Sequence, residues 1–247
     1  MPSLNLSRYS VRVADTALAL RAAQSLRYIA FARGNDPEGY DSDQFDGICR
    51  HYLVEETETG TLLCCFRLLP LSSGAEIARS YSAQFYDLSA LTAYPGPMAE
   101  IGRFCIRPGF CDPDILRVAW AVMTRFVDEN GIEMLFGCSS FPGTDATAYL
   151  DALALLKERH LGPCQWRPKI KAQQVFRFAQ EPGQSPCDAR QAMLRMPPLL
   201  RTYLMMGGWV SDHAVVDRQL DTLHVFTGVE INAIPQARKR LLRAAAR

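Results

Sequence analysis

The sequence predicts an α/β protein: a mixed, mostly antiparallel central sheet flanked by helices. Three observations carry that expectation. Short apolar runs of strand length alternate with longer stretches whose apolar residues recur at helical spacing. Two strand runs, His51–Glu56 and Thr61–Leu69, are joined across Thr57–Gly60 as an antiparallel hairpin. A strand–helix–strand succession between residues 99 and 139 requires a crossover, which puts helices over the sheet faces.

Each element follows in order. Ser10–Ala14 alternates as a strand. Asp15 reads as the N-cap of a helix to about Ala32, with an apolar stripe of Leu18, Ala22, Leu26 and Ile29. Arg27 and Phe31, four apart, share another face of it. A polar loop, Gly34 to Cys49, is rich in Asp and Gly. After the hairpin, Ser72–Pro97 reads as irregular, with aromatic residues Tyr81, Phe85, Tyr86 and Tyr94. The next strand holds Glu100. Asp112 caps a helix running to Asn130, Pro113 sits where proline is tolerated, and Gly131 ends it. Glu133–Ser139 reads as a short buried strand, and Gly143-Thr-Asp opens a helix to about His160. Gln173–Phe178 reads as a strand, residues 179–190 as a loop, and Pro197-Pro198 as the start of a short helix ending at Gly207-Gly208. Strands close the chain near Trp209–Asp217 and Leu223–Val229. No linker divides it, so one domain over 1–247 is expected, with an elaborated C-terminal part and a basic tail from about residue 232.

Composition narrows the function. At 247 residues the chain can bury a substantial core, and 48% hydrophobic with 21% charged residues is ordinary for a globular protein. A net charge of +1 gives no basic field, which argues against nucleic acid as a partner. No apolar run approaches the roughly 20 residues that span a bilayer. The N-terminal stretch lacks a signal peptide's apolar run, so a cytoplasmic location is expected. Eight cysteines form no C-x-x-C pair and four histidines no H-x-x-x-H pair, so no metal site is expected. The cysteines read as reduced thiols, several of them small core residues.

The stretch Ala99-Glu-Ile-Gly-Arg-Phe-Cys-Ile106 carries the chemistry. It is a buried-type strand that nonetheless holds a carboxylate and a guanidinium three residues apart. Unpaired charge in apolar surroundings costs several kcal/mol, about 3–5 when a buried pair is broken. Glu100 and Arg103 therefore either pair with each other or line a cavity. The following turn, from Arg107 through Gly109 to Asp112, leads into a helix start, a place where phosphate binds.

The ordered set Arg27-Tyr-Ile-Ala-Phe31, Asp43-Gln-Phe-Asp46, Phe66-Arg67-Leu68 and Glu100-Ile-Gly-Arg103 resembles the acyl-homoserine lactone synthases, a branch of the GNAT-like fold. A fuller match is to the amino-acid N-acyltransferases that make lyso-ornithine lipids. It is carried by Phe45-Asp46-x-x-Cys49-x-His51-x-Leu53-Val54, Tyr81-Ser82-Ala83, Glu100-x-Gly102-Arg103, Leu135-Phe-Gly-Cys-x-Ser140-Phe141-x-Gly143-Thr-Asp145, Pro197-Pro-Leu-Leu200 and Asp217. The resemblance covers residues 20 to 230. The chain departs from that pattern at Phe104, His213, Asp221 and His224.

The resemblance implies a GNAT-like acyltransferase that moves a 3-hydroxylated acyl chain from acyl carrier protein to the α-amine of ornithine, or of a related amino acid such as glutamine. It implies no cofactor, the phosphopantetheine thioester being a co-substrate. An ammonium must lose a proton before it attacks a thioester, and Glu100 is the candidate base. Arg103 and Arg67 either hold the acceptor's carboxylate in a bidentate fork or organise the acidic loop through Asp43 or Asp46. Asp46 either binds the acceptor's ammonium or caps the loop. Arg27 pairs with that acidic loop and organises the acyl pocket, and Phe31 and Phe45 line it or pack in the core. Arg107, Gly109 and Asp112 face the phosphopantetheine; a glycine-rich coenzyme A signature is missing there, which favours acyl carrier protein as donor. An acyl-cysteine at Cys105 or Cys138 is the rival chemistry, without a histidine adjacent in sequence. His51 reads as structural. The basic tail either touches anionic lipid at the inner membrane face or the carrier's acidic surface, or is a solvated helix end. Two other functions stand beside this one: a homoserine lactone synthase using S-adenosylmethionine, and a non-catalytic carrier-binding or membrane-associated regulator.

Overall fold

A computed structural model describes residues 4–6, 8–31, 36, 38–180 and 189–245. Its strands and helices run β1 (Leu4–Leu6), β2 (Tyr9–Val13), α1 (Ala17–Ala30), β3 (Arg50–Glu56), β4 (Leu62–Leu71), β5 (Tyr86–Asp87), β6 (Met98–Ile106), α2 (Pro113–Glu129), β7 (Met134–Pro142), α3 (Leu150–Arg159), β8 (Lys169–Ile170), β9 (Val175–Phe176), α4 (Ala189–Arg195), α5 (Pro198–Met205), β10 (Trp209–Asp217), β11 (Thr222–Glu230) and α6 (Gln236–Ala245). The chain divides into two compact units. The first takes Met1–Pro70, Ile101–Ile132 and Gln236–Arg247; the second takes Leu71–Glu100 and Glu133–Pro235.

In the first unit the strand order is β1-β2-β3-β4-β6, and β1 to β4 pair antiparallel. Side chains alternate across a strand, so neighbouring residues of β3 point to opposite faces. Leu53 faces α1, with Ala19, Ala23, Leu26, Cys65 and Cys105 around it. Tyr52 faces the other way, stacking on Phe66 and meeting Phe126 of α2 edge-on at 6.4 Å. The two helices thus cover opposite faces, as the sequence predicts.

Helix α1 differs from expectation in its cap and its buried stripe. Thr16, not Asp15, is the N-cap; its Oγ1 accepts from Ala19 N at 3.1 Å. The buried positions are Ala19, Ala23, Leu26 and Arg27, while Leu18 is 81% exposed and Ile29 is also exposed. The face is rotated by one residue because two alanines allow close approach to the sheet and because Arg27 belongs inside. Helix α2 matches expectation, with Asp112 accepting from Asp114 N at 2.9 Å and Gly131 in the left-handed region.

In the second unit β7, β11, β10 and β9 follow the first half of β6, all antiparallel except the parallel pairing of β6 with β7. That parallel pairing is the expected crossover, made through α2. One face of this sheet is apolar: Phe141, Val210, Ala214, Leu223 and Val225 pack under Leu153, Leu156, Ala192, Leu200 and Leu204 of α3, α4 and α5. The other face carries Glu100, Phe136, Cys138, His224 and Phe226, because Glu100 pairs with Phe136 and Cys138 with Phe226. The segment between β4 and β6 lies over this face as short 3₁₀ turns, not as irregular chain. Strand β7 runs on to Pro142, and Asp145 caps a 3₁₀ turn before α3. Strand β9 shrinks to two residues. Of the expected 179–190 loop, residues 181–188 lie outside the described residues, as does Cys187; Ala189–Arg195 are helical.

Candidate active site

The first unit holds a closed cluster of three arginines and three aspartates. Arg27 of α1 grips Asp46 with both Nη atoms at 2.8 Å, and its Nε lies 3.0 Å from Asp41. Its Nη2 also donates to the Asp41 carbonyl. Arg67 of β4 takes Asp43 bidentately at 2.6 and 2.8 Å and reaches Asp46 at 2.6 Å. Arg103 of β6 donates from Nε to Asp41 at 2.9 Å and lies 3.0 Å from Asp43. Such planar forks fix geometry as well as charge.

Local backbone explains how these groups meet. Arg103 has φ +52°, in the left-handed region that a residue with a side chain enters at a cost of roughly 1–2 kcal/mol. Beside it, a Cβ on Gly102 would stand 3.4 Å from Arg67 Nε, so glycine leaves room for that guanidinium. Phe45 and Phe31, expected in a pocket or the core, lie against the Arg67 and Arg103 guanidiniums at 5.6 and 5.9 Å.

Burial alone would raise the carboxyls of Asp43 and Asp46. The hydrogen bonds and charges of Arg67 and Arg103 at Asp43, and of Arg27, Gln24 and Arg67 at Asp46, outweigh it and hold both below the usual carboxylate range. Asp46 also accepts from Gln24 at 2.9 Å and from the Asp43 backbone. With Arg27 and Arg67 these donors engage all the lone-pair directions a carboxylate offers. Asp46 is thereby committed to closing the loop. His51, lowered mainly by burial, is neutral and donates from Nε2 to the Asp46 carbonyl at 3.0 Å, the structural role the sequence gives it.

The turn from Arg107 to Asp112 lies in the same unit. Arg107 is tied to β4 by its Nε to Leu62 O and its N to Leu63 O, both 2.7 Å. Gly109 has φ +86°. Asp112 serves α2 as its cap, accepting also from Tyr9 Oη at 2.5 Å and Arg8 at 2.9 Å. That helix start carries the carboxylates of Asp112 and Asp114, so the positive charge of the turn comes from Arg107 and not from the helix end. Cys65 and Cys105 lie with their sulfurs 3.5 Å apart as free thiols, and the contact with Cys105 together with burial pushes the Cys65 thiol up, away from nucleophilic use.

In the second unit Glu100, 4% exposed, is seated by three donors: Tyr81 N at 2.8 Å, Ser82 N at 2.7 Å and Ser82 Oγ at 2.6 Å. Ser82 Oγ in turn lies 3.4 Å from Cys138 Sγ. The Tyr81–Ser82 turn thus holds a buried carboxylate in one orientation. Sequence reasoning missed Asp41, Gln24 and Ser82 as partners. Only the Tyr81-Ser82-Ala83 motif pointed toward Ser82, because two of the three donors to Glu100 are backbone groups.

A family model described as an acetyltransferase (GNAT) domain matches residues 26–121. The chain is 31% identical over 241 residues to an L-ornithine N(alpha)-acyltransferase of Rhodobacter capsulatus, covering 92% of each. It is 28% identical over 239 residues to the enzyme of the same name in Brucella abortus, covering 91% of this chain and 85% of that one. Among solved structures, the N-acyl amino acid synthase FeeM from uncultured soil microbes has the same fold, with TM-score 0.51 at 11% identity over 91% of this chain and 93% of that one.

Proposed function

Because the chain belongs to the L-ornithine N(alpha)-acyltransferase family, we propose that it forms an amide between a 3-hydroxylated acyl chain, delivered as a thioester of acyl carrier protein, and the α-amine of ornithine. The product is a lyso-aminolipid. The observation that carries the chemistry is the seat of Glu100, a buried carboxylate fixed by three donors.

On this reading Glu100 takes a proton from the α-ammonium, directly or through water. The amine attacks the thioester carbonyl, and the C–N bond forms. The tetrahedral oxyanion collapses, the C–S bond breaks, and the thiol leaves with the amine's second proton. Arg103, less buried than Arg27 and Arg67, is the guanidinium proposed for the acceptor's carboxylate. Arg27, Arg67 and Asp46 hold the acidic loop, with Phe31 and Phe45 against the guanidiniums. Arg107 supplies positive charge for the phosphopantetheine phosphate, Gly109 shapes the turn, and Asp112 fixes the helix behind it. No resident cofactor takes part.

The test is direct. The purified protein is mixed with 3-hydroxyacyl carrier protein and a panel of amino acids, and products are read by mass spectrometry. N-acylornithine is expected; no N-acyl product with any acceptor would overturn the activity. Glu100→Gln keeps an acceptor for the turn but removes the base, and is expected to lower kcat by about 10²–10⁴. An undiminished rate across the pH profile would remove Glu100 from that role.

A further inference from the structure

Cys138 of β7, half-buried, is the nucleophile of the rival chemistry that the sequence leaves open, and it takes no part in the reaction described so far. Phe136, two residues before it on β7, pairs with Glu100, so Cys138 and Glu100 stand on the same face of the sheet. Cys138 Sγ lies 3.4 Å from Ser82 Oγ, and that hydroxyl meets Glu100 Oε1 at 2.6 Å. A line of three side chains thus runs from β7 through the Tyr81–Ser82 turn to β6.

Proton inventory gives this line a direction. A serine hydroxyl carries one proton and two lone pairs, and an ionised carboxylate only accepts. Glu100 also takes Tyr81 N at 2.8 Å and Ser82 N at 2.7 Å. Such donors favour the ionised carboxyl. The Ser82 proton therefore goes to Glu100, and at its contact with Cys138 the Ser82 oxygen can only accept. The thiol is the donor: Cys138 S–H to Ser82 Oγ, then Ser82 O–H to Glu100. Ser82 is 0% exposed, so bulk water does not supply that donor in its place.

What the thiol adds is the setting of the hydroxyl. A serine side chain turns about one bond between staggered wells. In the well observed, N and Oγ of Ser82 both meet Oε1, while Tyr81 N holds Oε2. A donor on the far side of Oγ favours that well over those that would break the bond to Oε1. A proton kept on sulfur by the same bond also disfavours nucleophilic attack, because the thiolate is the reactive form.

We propose that Cys138 is a positioning residue and not a nucleophile: its thiol donates to Ser82, which locks the Ser82 hydroxyl onto Glu100 and keeps that carboxylate aimed. This role rests on the acyl-transfer reading above, in which Glu100 is the base.

Steady-state kinetics with 3-hydroxyacyl carrier protein and ornithine, joined to infrared spectroscopy of the S–H stretch, test it. Ser82→Ala is expected to lower kcat about tenfold and Cys138→Ala about threefold, with both KM values held within about twofold, because a misaimed base slows the chemical step and not binding. Cys138→Ser, whose hydroxyl still donates, recovers most of the loss. An unchanged kcat in Cys138→Ala, or a serine variant no faster than the alanine one, would overturn the assignment. So would an acyl adduct at Cys138 of the wild type in intact-protein mass spectrometry, the mark of a nucleophile. In the infrared, the band lost in Cys138→Ala should lie below that of an unbonded thiol and move up in Ser82→Ala. A Cys138 band already at the unbonded position in the wild type overturns the proposal, whether or not the Ser82 variant folds. The band needs no turnover. Should the wild type make no N-acyl product, the acyl-transfer reading fails on its own account, and the band still decides whether the thiol holds Ser82.

Discussion

Among the described residues Arg27 is the largest fully buried side chain, and it is charged. Its guanidinium is tolerable there only because Asp41 and Asp46 meet it from two directions. Arg27→Met is expected to destabilise the fold by about 3–5 kcal/mol, because it strands carboxylates that remain buried. Arg27→Lys recovers only part of this, since one ammonium cannot replace a fork. Urea unfolding of both variants checks the order; equal stability of Arg27→Met and wild type would rule it out. The same neighbourhood sets the acid limit. Asp43 and Asp46 are lowered in the folded state, so their contribution is intact above about pH 4 and is lost as pH falls through their folded values. The buried histidines act earlier. His51 and His224 are also lowered, so the unfolded chain takes up protons first once pH drops below about 6.5. Stability therefore rises with pH between the folded and unfolded values and is full above about pH 6.5. For His224 the window runs down to about 4 and spans about 3 kcal/mol. Unfolding midpoints measured from pH 7 to 4.5 should fall steadily, and less steeply in His224→Phe; parallel slopes would contradict the assignment.

Strand β10 loses register with β11 between Val210 and Ala214, and Ser211 repairs the gap. Its hydroxyl donates to the His213 carbonyl at 2.7 Å and accepts from Phe226 N at 3.1 Å. This irregularity sets how His213 is presented beside Tyr86. Ser211→Ala leaves a buried carbonyl and a buried N–H short of a partner, and is expected to cost about 1–3 kcal/mol. Thermal unfolding reads the loss, and an unchanged midpoint would show that the backbone repairs itself. Ser211 also marks where sequence reading stops. Strands β10 and β11 were legible from their apolar runs, and α2 from Asp112-Pro113 at one end and Gly131 at the other. These signals are local. The pairing of Arg27 with the acidic loop was legible from the motif order, but its complete burial and its second partner, Asp41, were not, because no local pattern marks a contact made that far along the chain. Helix α4 was missed because seven residues give too few turns for a period to emerge. Within the site, Glu100, Arg103, Arg67 and Asp46 stood out as charges set among apolar or motif positions. The seat of Glu100 did not, since backbone N–H groups leave no trace in residue identity.

The chain as a whole carries almost no net charge, yet its last helix is strongly one-sided. Helix α6 bears Arg238, Lys239, Arg240 and Arg243 and no acid. It packs with α2, where Arg243 takes Asp128 at 2.8 and 3.0 Å, and Arg240 and Leu241 are exposed. That arrangement replaces the picture of a frayed solvated end with an anchored basic ridge. Among the described residues no helix is long and apolar enough to cross a membrane, so any lipid contact of that helical kind would be made from outside the bilayer. On the proposed reading the donor arrives on an acidic carrier protein, and a basic ridge raises the encounter rate with such a partner. Exposed charges separated by more than about 10 Å are screened at 0.1 M salt, so the effect must fade as salt rises. Replacing Arg238, Lys239 and Arg240 together by Glu should raise KM for acyl carrier protein by roughly tenfold at low salt, with the difference vanishing near 0.5 M. A small pantetheine thioester, which has no acidic surface, should be processed alike by variant and wild type. Equal KM values for the carrier at every salt concentration would assign the ridge elsewhere, and a variant that instead lost binding to anionic vesicles would place its partner in the lipid surface.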